Sequence, residues 1–186
     1  MSTGRATYAV IGDPVEHSLS PRIFALLFAE LGMEGHYTAL RVTPDELPEA
    51  IARTRRGALS GLSVTLPHKE AILPLLDDVH PLAARVGAVN CVVRAQDGSL
   101  QGFNTDLAGF RQALEESGER LAASRVVLLG AGGAGRAAAF AAVSAGAKSL
   151  VIANRDPERA MRLGLELIET GLAWPEGGLR RAWEAG

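Results

Sequence analysis

The chain has 186 residues, 47% of them hydrophobic and 22% charged, with a formal net charge of −2. This balance is typical of globular domains and gives no electrostatic reason to expect a nucleic acid or an anionic membrane as partner. The single cysteine, Cys91, excludes an internal disulfide. The sequence contains neither the apolar core of a signal peptide nor an apolar run long enough to span a membrane. We therefore expect a cytoplasmic protein without a membrane partner. The four histidines are scattered without metal-ligand spacing, so we expect no metal site.

The first 105 residues alternate between strand and helix patterns, which predicts an α/β substrate domain over residues 1–105. Strands are predicted at 8–11, 36–42 and 61–65, with a hairpin formed by 86–94 and 100–104. One helix is expected to run from Ser20 to Gly32, with Ser20 as its N-cap and Pro21 in its first turn. A second follows the capping box Thr43–Glu46 and reaches about Arg56, and a third begins at Pro67.

The pattern of residues 106–186 predicts a connecting helix and linker, followed by half of a nucleotide-binding fold. A helix at 106–117 and a linker at 118–124 join residues 1–105 to a partial dinucleotide-binding domain at 125–186. In that domain we expect a strand at 125–130, a helix at 133–145, a strand at 149–154 and a helix from Asp156 to Gly171. Residues 172–186 contain no β-branched residue and do not predict a further buried strand.

A glycine-rich turn lies directly behind the strand at 125–130. Gly130, Gly132 and Gly135 have the G-x-G-x-x-G spacing of a dinucleotide-binding turn, in which glycine lets the backbone approach a pyrophosphate at a helix N-terminus. We therefore predict cofactor contacts from Gly130, Gly132, Gly133, Ala134 and Gly135. The alternative is a packing turn with no ligand.

The end of the following strand bears on the choice of cofactor. An acidic residue there binds the ribose of NAD, whereas this strand ends in Asn154-Arg155, with Arg159 one helical turn further on. Arginine suits a 2′-phosphate, which favours NADP. Asp156 keeps NAD open, although its place before Pro157 equally fits a helix N-cap.

Polar residues follow several strands of the first domain. Ser18 and Ser20 suit a small carboxylate, with a simple cap as the alternative for Ser20. Lys69 lies in the first turn of a helix, an unfavourable place for a cation that suits proton transfer, unless it is a solvated surface lysine. Asn90 fits a turn or a hydroxyl-binding amide, Asp106 fits an ordinary first-turn acid, and we interpret Cys91 as a small buried residue rather than a nucleophile.

Taken together, these segments resemble the shikimate dehydrogenase family; the matching stretches are residues 12–21, 61–69, 87–90, 102–110 and 130–136. The resemblance implies an N-terminal substrate domain and a Rossmann-type NADP domain, with catalysis in the cleft between them. It implies reversible, NADP-dependent reduction of the ketone of 3-dehydroshikimate to shikimate.

The resemblance also implies roles for individual residues. Ser18 and Ser20 would hold the substrate carboxylate; Thr65, Asn90 and Asp106 would bind ring hydroxyls; and Lys69 with Asp106 would form the catalytic pair. Asn154, Arg155 and Arg159 would bind the 2′-phosphate of NADP.

The chain departs from the family pattern in several places. Ser63 stands where many members have asparagine, Cys91 where many have threonine, and Asp156 where threonine is frequent. Only 51 residues follow Gly135, whereas the family continues further. We therefore expect little or no dehydrogenase activity from the 186 residues alone, and association, such as a homodimer, through the bare edge of the strand at 125–130. Quinate oxidation with NAD and non-catalytic binding of shikimate-like acids are the alternatives.

Overall fold

The computed structural model describes residues 6–169 and divides the chain into two compact units, Met1–Asn104 and Thr105–Gly186. The strands of the first unit are β1 (Ala6–Gly12), β2 (Gly35–Arg41), β3 (Gly61–Val64), β4 (Asp78–Val79), β5 (Cys91–Arg94) and β6 (Leu100–Phe103). Its helices are α1 (Ser20–Glu30), α2 (Leu47–Arg55), α3 (His68–Ala71) and α4 (Pro81–Val86). The second unit contains α5 (Asp106–Glu116), β7 (Arg125–Leu129), α6 (Gly133–Ser144), β8 (Ser149–Ala153) and α7 (Pro157–Glu169). In residues 6–169 no helix combines the length and apolar character needed to cross a membrane.

The first unit is built on a mixed six-stranded sheet in the order β2-β1-β3-β5-β6-β4. β1 is parallel to β2 and β3, while β5 runs antiparallel to both β3 and β6. The carboxyl ends of β1, β3 and β6 therefore lie at the same edge of the sheet, where β5 begins. The residues that follow these strands are brought together at that edge, which is where α/β sheets place their ligands.

The core of the first unit lies on both faces of this sheet. The larger cluster consists of aliphatic residues from the strands, from α2 and α4 and from the segment after α3, including Ala9, Ile11, Leu47, Ile51, Leu62, Val64, Ile72, Val92 and Leu100. On the opposite face, buried Val10, Val15 and Tyr37 pack against Phe24 and Phe28 of α1. The alternation of β1, with Ala9 and Ile11 on one face and Val10 on the other, sets this division.

Helix α1 packs through its aromatic residues rather than its leucines. None of its residues is buried: Leu26 is 73% exposed, and Leu31, directly after the helix, is 65% exposed. Phe24 and Phe28 are half-buried and form an aromatic cluster with Tyr8 and Tyr37. The helical periodicity predicted the element but not the side that packs.

Two local predictions in the first unit are wrong. The strand predicted at 86–94 starts only at Cys91, because α4 ends at Val86 and Gly87 closes it in the left-handed region at φ +69°. Ser20 is not the N-cap of α1: Leu19 occupies that position without a side-chain cap. The capping box at Thr43 is confirmed, since the Thr43 N–H and hydroxyl donate to Glu46 Oε2, both at 2.9 Å, although it opens a 3₁₀ turn (Pro44–Glu46) before α2.

The second unit contains a βαβα arrangement. β7 and β8 pair in parallel over their full length, and α6 connects them. Helix α6 buries a row of small residues, among them Ala137, Ala139, Ala141 and Ala142, which allow close packing. The predicted strands at 125–130 and 149–154 and the helix at 133–145 are confirmed to within one residue at their ends. Gly171 and residues 172–186, on which two further predictions were made, lie outside the described residues.

Candidate functional site

The hydroxyl pair predicted to hold a carboxylate lies beside a small cavity in the first unit. Ser18 Oγ donates to Ser20 Oγ at 3.2 Å and accepts the Ser20 N–H at 3.3 Å. The cavity has a volume of about 260 Å³, which suits a small metabolite, and is lined by Val10, Pro14, Val15, His17, Ser18, Ser20, Thr65 and Leu66. The structure thus brings Ser18, Ser20 and Thr65 to one pocket.

The pocket is built by a close approach of the loops that follow β1 and β3. The Thr65 N–H donates to Ile11 O at 2.9 Å, and the Asp13 N–H donates to Leu66 O at 3.0 Å. A Cβ placed on Gly12 would lie 2.9 Å from the Leu66 carbonyl oxygen, closer than real Cβ atoms come to backbone. Glycine at position 12 is therefore required for the two loops to meet, and their meeting forms the pocket wall.

Lys69 and Asn90 are fixed at the same edge of the sheet by main-chain hydrogen bonds. The Asn90 carbonyl accepts the Val64 N–H at 2.8 Å, and its N–H donates to Phe103 O at 3.0 Å, so Asn90 joins the ends of β3 and β6. The Lys69 carbonyl accepts the Val89 N–H at 2.8 Å, which ties α3 to the segment before β5. Both side chains are half-buried. The structure therefore brings Thr65, Lys69 and Asn90 into one neighbourhood.

The surroundings of Lys69 modify the reason for singling it out. Helix α3 has only four residues, His68–Ala71, so its dipole is too short to carry the argument from an unfavourable helix end. His68 is 1% exposed and its Nε2 lies 2.6 Å from Val42 O, which gives it a structural role. The position of Lys69 at the sheet edge, rather than its place in a helix, supports a chemical role.

Two other polar residues of this region differ in their surroundings. Asn104 is buried and its side-chain amide donates to Ala88 O at 2.9 Å, so it supports the chain before Asn90. Cys91 is half-buried, and burial raises the pKa of its thiol above the ordinary 9.0, which makes it a poor nucleophile at neutral pH. Asp106 belongs to the second unit, where it is the first residue of α5 and half-buried.

The glycine turn of the second unit has the geometry expected of an anion-binding loop. Gly130 adopts φ +109°, and Gly132 is the N-cap of α6, so the first N–H groups of the helix follow the turn directly. A Cβ on Gly135 would collide with the Gly130 carbonyl oxygen, whereas a Cβ on Gly132 would meet nothing within 4 Å. Gly135 is thus explained by packing, and the open space at Gly132 leaves room for a ligand to approach the backbone.

The side chain of Asn154 supports this turn. Its Oδ1 accepts the Ala131 N–H at 3.1 Å, and its Nδ2 donates to Asp156 O at 2.9 Å. Asp156 caps α7, because its Oδ1 accepts the Glu158 N–H at 3.0 Å and the Arg159 N–H at 3.4 Å. Arg155 and Arg159 are exposed beside this cap. The N-cap interpretation of Asp156 is confirmed, while the side chain of Asn154 is occupied by the loop.

Sequence reasoning missed two residues next to these sites. Tyr37 packs behind the hydroxyl pair, and Arg136, 8% exposed, forms an ion pair with Glu166 between α6 and α7. The order of strands around β1 would have been needed to place Tyr37 near Ser20, and no sequence pattern supplies that order. Among residues 6–169 the structure places no three His, Cys, Asp or Glu side chains where they could hold a metal ion together.

Comparison with known proteins identifies the family. Residues 10–92 match the family model of the shikimate dehydrogenase substrate binding domain, and residues 112–173 match that of shikimate / quinate 5-dehydrogenase. The shikimate dehydrogenase (NADP(+)) of Moorella thermoacetica is 48% identical over 183 residues, which are 95% of this chain and 62% of that protein. The chain belongs to the shikimate dehydrogenase family.

Solved structures of the family show the same fold. The Thermus thermophilus shikimate 5-dehydrogenase in complex with NADP(H) and shikimate superposes with a TM-score of 0.79 at 46% identity, over 87% of this chain and 60% of that one. The Listeria monocytogenes enzyme in complex with shikimate and NAD gives a TM-score of 0.82 at 32% identity, over 97% and 62%. This member therefore spans about 60% of the length of the relatives it matches. Of the two family models, the one that matches residues 10–92 lies within the first unit, and the one that matches residues 112–173 lies within the second.

Proposed function

We propose that this chain carries the substrate and cofactor sites of an NADP-dependent dehydrogenase that interconverts 3-dehydroshikimate and shikimate. The observation that carries the proposal is the placement of Thr65, Lys69 and Asn90 at one sheet edge, with Thr65 and the Ser18–Ser20 pair lining one pocket. The Moorella relative is named an NADP(+) enzyme, and the Thermus relative was solved with both ligands.

The substrate assignment follows from the donors and acceptors available. Two serine hydroxyls can each donate to a carboxylate, which only accepts. The Thr65 hydroxyl and the Asn90 amide both donate and accept, which matches the ring hydroxyls of a polyhydroxy acid. Asp106 is proposed to accept from a further hydroxyl of the substrate.

Lys69 and Asp106 are the proposed catalytic pair. In the reducing direction the Lys69 Nζ–H bond breaks and its proton goes to the ketone oxygen, which becomes the new hydroxyl; oxidation runs the same transfer backwards. When bound, the nicotinamide cofactor supplies or takes up the hydride.

The glycine turn fits the pyrophosphate of a dinucleotide. Gly132 is open on its Cβ side, and the N-terminus of α6 follows it. Arg155 and Arg159 lie exposed after β8 and are proposed to bind the 2′-phosphate, with Asn154 holding the loop that presents the pyrophosphate site. Since Asp156 is engaged as the cap of α7, its presence is explained without a ribose contact, which supports NADP over NAD.

The second candidate function is oxidation of quinate or shikimate with NAD. It is favoured by the family model of residues 112–173, whose description includes quinate, and by the Listeria relative solved with NAD. Steady-state assays of the full chain with shikimate and quinate, each with NADP and NAD, separate the two. Whatever turnover the 186 residues support, its kcat/KM is expected to be highest with shikimate and NADP. In titrations, Arg155→Gln is expected to raise the Kd for NADP about tenfold while leaving the Kd for NAD unchanged.

Binding without turnover would support the alternative of a non-catalytic protein for shikimate-like acids. Isothermal titration of shikimate and NADP into the same preparation measures it. If neither shikimate nor NADP binds, the proposed function is contradicted both for an enzyme and for a non-catalytic binding protein.

Homodimerisation through β7 is a further part of the proposal. Within residues 6–169, β7 is paired on one edge only, by β8, and Val127 and Leu129 are 67% and 81% exposed. Unpaired strand edges with apolar side chains favour association. Light scattering at high concentration is expected to give twice the monomer mass, and a monomer would contradict this part.

A further inference from the structure

The hydroxyl of Tyr37 is buried without a hydrogen-bond partner among the described residues. Tyr37 lies on β2, is 8% exposed, and its ring stacks on Phe24 of α1 with centroids 4.2 Å apart. It packs in one cluster with Val10 and Val15, which line the cavity beside the serine pair. Native proteins rarely leave a buried hydroxyl unsatisfied, so the group calls for an explanation.

Two serine hydroxyls are close enough to interact with this phenol. Ser20, at the start of α1, and Ser63, on β3, both act on it, although neither meets hydrogen-bond geometry. Desolvation raises the pKa of Tyr37 above the ordinary 10.0, so the phenol keeps its proton and remains a donor. Since Ser18 Oγ lies 3.2 Å from Ser20 Oγ, hydroxyls extend from Tyr37 through Ser20 to the cavity.

Counting hydrogen-bond donors shows what the phenol would do when an anion binds. In the structure Ser18 Oγ donates to Ser20 Oγ. A carboxylate accepts only, so if both serines donate to it, the Ser18–Ser20 bond is given up. Ser18 Oγ then still accepts the Ser20 N–H, but Ser20 Oγ has lost its donor. The Tyr37 hydroxyl is the group placed to replace it.

We propose that Tyr37 is a positioning residue of the carboxylate site, whose O–H donates to Ser20 Oγ in the anion-bound state so that the Ser20 O–H points at the ligand. The inference rests on the proposed function, because the anion is the substrate carboxylate. Tyr37 itself does not touch the ligand. Donation to Ser20 polarises its O–H and strengthens the bond that Ser20 makes.

Tyr37→Phe in the full chain tests this, because it keeps the ring and its stacking on Phe24 and removes only the hydroxyl. We expect the Kd for shikimate to rise about fivefold, since one hydrogen bond is lost, with Tm unchanged or higher because a buried unsatisfied group is removed. Tyr8→Phe, at the only other tyrosine, is the matched control and is expected to leave Kd unchanged. In assays the Tyr37→Phe effect is expected in KM rather than kcat.

Two further measurements separate positioning from a general structural effect. In a Ser20→Ala background, Tyr37→Phe is expected to change the Kd for shikimate less than about twofold, because its route to the ligand has been removed. With the methyl ester of shikimate, which lacks the anionic charge, the Tyr37→Phe effect is also expected to shrink. Equal Kd for wild type and Tyr37→Phe, additivity with Ser20→Ala, or a lowered Tm would each overturn the inference. If wild type binds no shikimate, the proposed function fails first and the inference falls with it.

Discussion

At the scale of single residues, the chain is poor in lysine. Its 19 basic residues include only two lysines, Lys69 and Lys148. Lys69 is half-buried at the sheet edge next to Asn90, whereas Lys148 is exposed on the second unit. Arginine serves the structural ion pairs, as in Arg55–Asp77 and Arg136–Glu166. A side chain that must give up a proton cannot be arginine, which stays charged.

This contrast gives a matched pair of variants for testing the proton donor. Little turnover is expected of the 186 residues alone, and Lys69→Gln is expected to lower the kcat that they do support for shikimate oxidation by a further factor of about 10² to 10⁴, because general acid–base catalysis is lost. Lys148→Gln removes the same charge elsewhere and is expected to leave kcat unchanged. Initial rates followed by nicotinamide absorbance measure both. Substantial kcat in Lys69→Gln would show that another group moves the proton.

At the scale of elements, a few hydrogen bonds fix the turns between strands and helices. The glycine turn before α6 is held by the Gly130 N–H, which donates to Ala153 O at 2.7 Å, and by Asn154. The amide of Asn154 thus positions the turn from the end of the neighbouring strand. The two glycines of this turn that differ most in their surroundings, Gly132 and Gly135, give its clearest test.

Gly135→Ala is expected to destabilise the protein by about 1–3 kcal/mol, because its methyl group would collide with the Gly130 carbonyl oxygen. Gly132→Ala is expected to cost about 1 kcal/mol or less, since its Cβ position is open. The same Gly132→Ala variant is expected to weaken NADP binding more than its stability loss explains. Thermal unfolding and NADP titration of both variants check this; equal effects on stability would contradict the assignment of separate roles.

Asp77, directly before β4, links two elements of the first unit. Its Oδ2 accepts from Arg55 Nη2 and from the Leu100 N–H, both at 2.8 Å, and so joins the end of α2 to the start of β6. The bond from Arg55, followed by that from Leu100, lowers the pKa of this carboxyl below its ordinary 3.8. A carboxyl whose folded pKa is lowered stabilises the fold above its unfolded pKa and loses that effect as pH falls through the folded value.

Asp77→Asn is therefore expected to lower Tm at pH 7, and the difference from wild type is expected to shrink as pH falls below 3.8. Glu34→Gln, at an exposed position between α1 and β2, changes the net charge equally and is the control. Calorimetric scans between pH 2.5 and 7, on the order of one scan per half unit, follow the change. A difference that stays constant across this range would contradict the role of the ionised carboxylate.

At the scale of the whole molecule, the two proposed ligand sites divide between the two compact units, except that Asp106 of the proposed substrate site belongs to the second unit. The hydroxyl pair, Thr65, Lys69 and Asn90 belong to Met1–Asn104, while the glycine turn and Arg155 belong to Thr105–Gly186. The two family matches follow the same division, with residues 10–92 in the first and 112–173 in the second. Each ligand is thus expected to stabilise main-chain segments of its own unit first.

Hydrogen exchange measured by mass spectrometry tests this division. Shikimate is expected to slow exchange at residues 15–20 and 65–69, and NADP is expected to slow it at residues 130–136. The reason is that a ligand at a concentration of a hundred times its Kd lowers the free energy of the state that it binds by about 2.7 kcal/mol. Protection of the 130–136 segment by shikimate alone, or of the 15–20 segment by NADP alone, would contradict the assignment of the two sites. Protein without ligand supplies the reference.

The sequence by itself determined the parts of this protein that depend on local rules. The capping box at Thr43, the cap of α7 at Asp156 and the strand–glycine–helix order at 125–145 follow from neighbouring residues, so they could be predicted. The candidate residues of the proposed substrate site could also be picked out, because their types and spacing match a family pattern.

The tertiary structure decided what depends on the order of the strands. The placement of β5 antiparallel to β3 and β6 brings Asn90 to the edge that Thr65 occupies, and the side-by-side packing of β1 with β2 and β3 puts Tyr37 near Ser20 and Ser63. It also decided that Ser20 interacts with Ser18 instead of capping α1, and that Asn154 holds the glycine turn. The reason is physical: pairing between strands distant in sequence sets which side chains meet, and no local pattern encodes it.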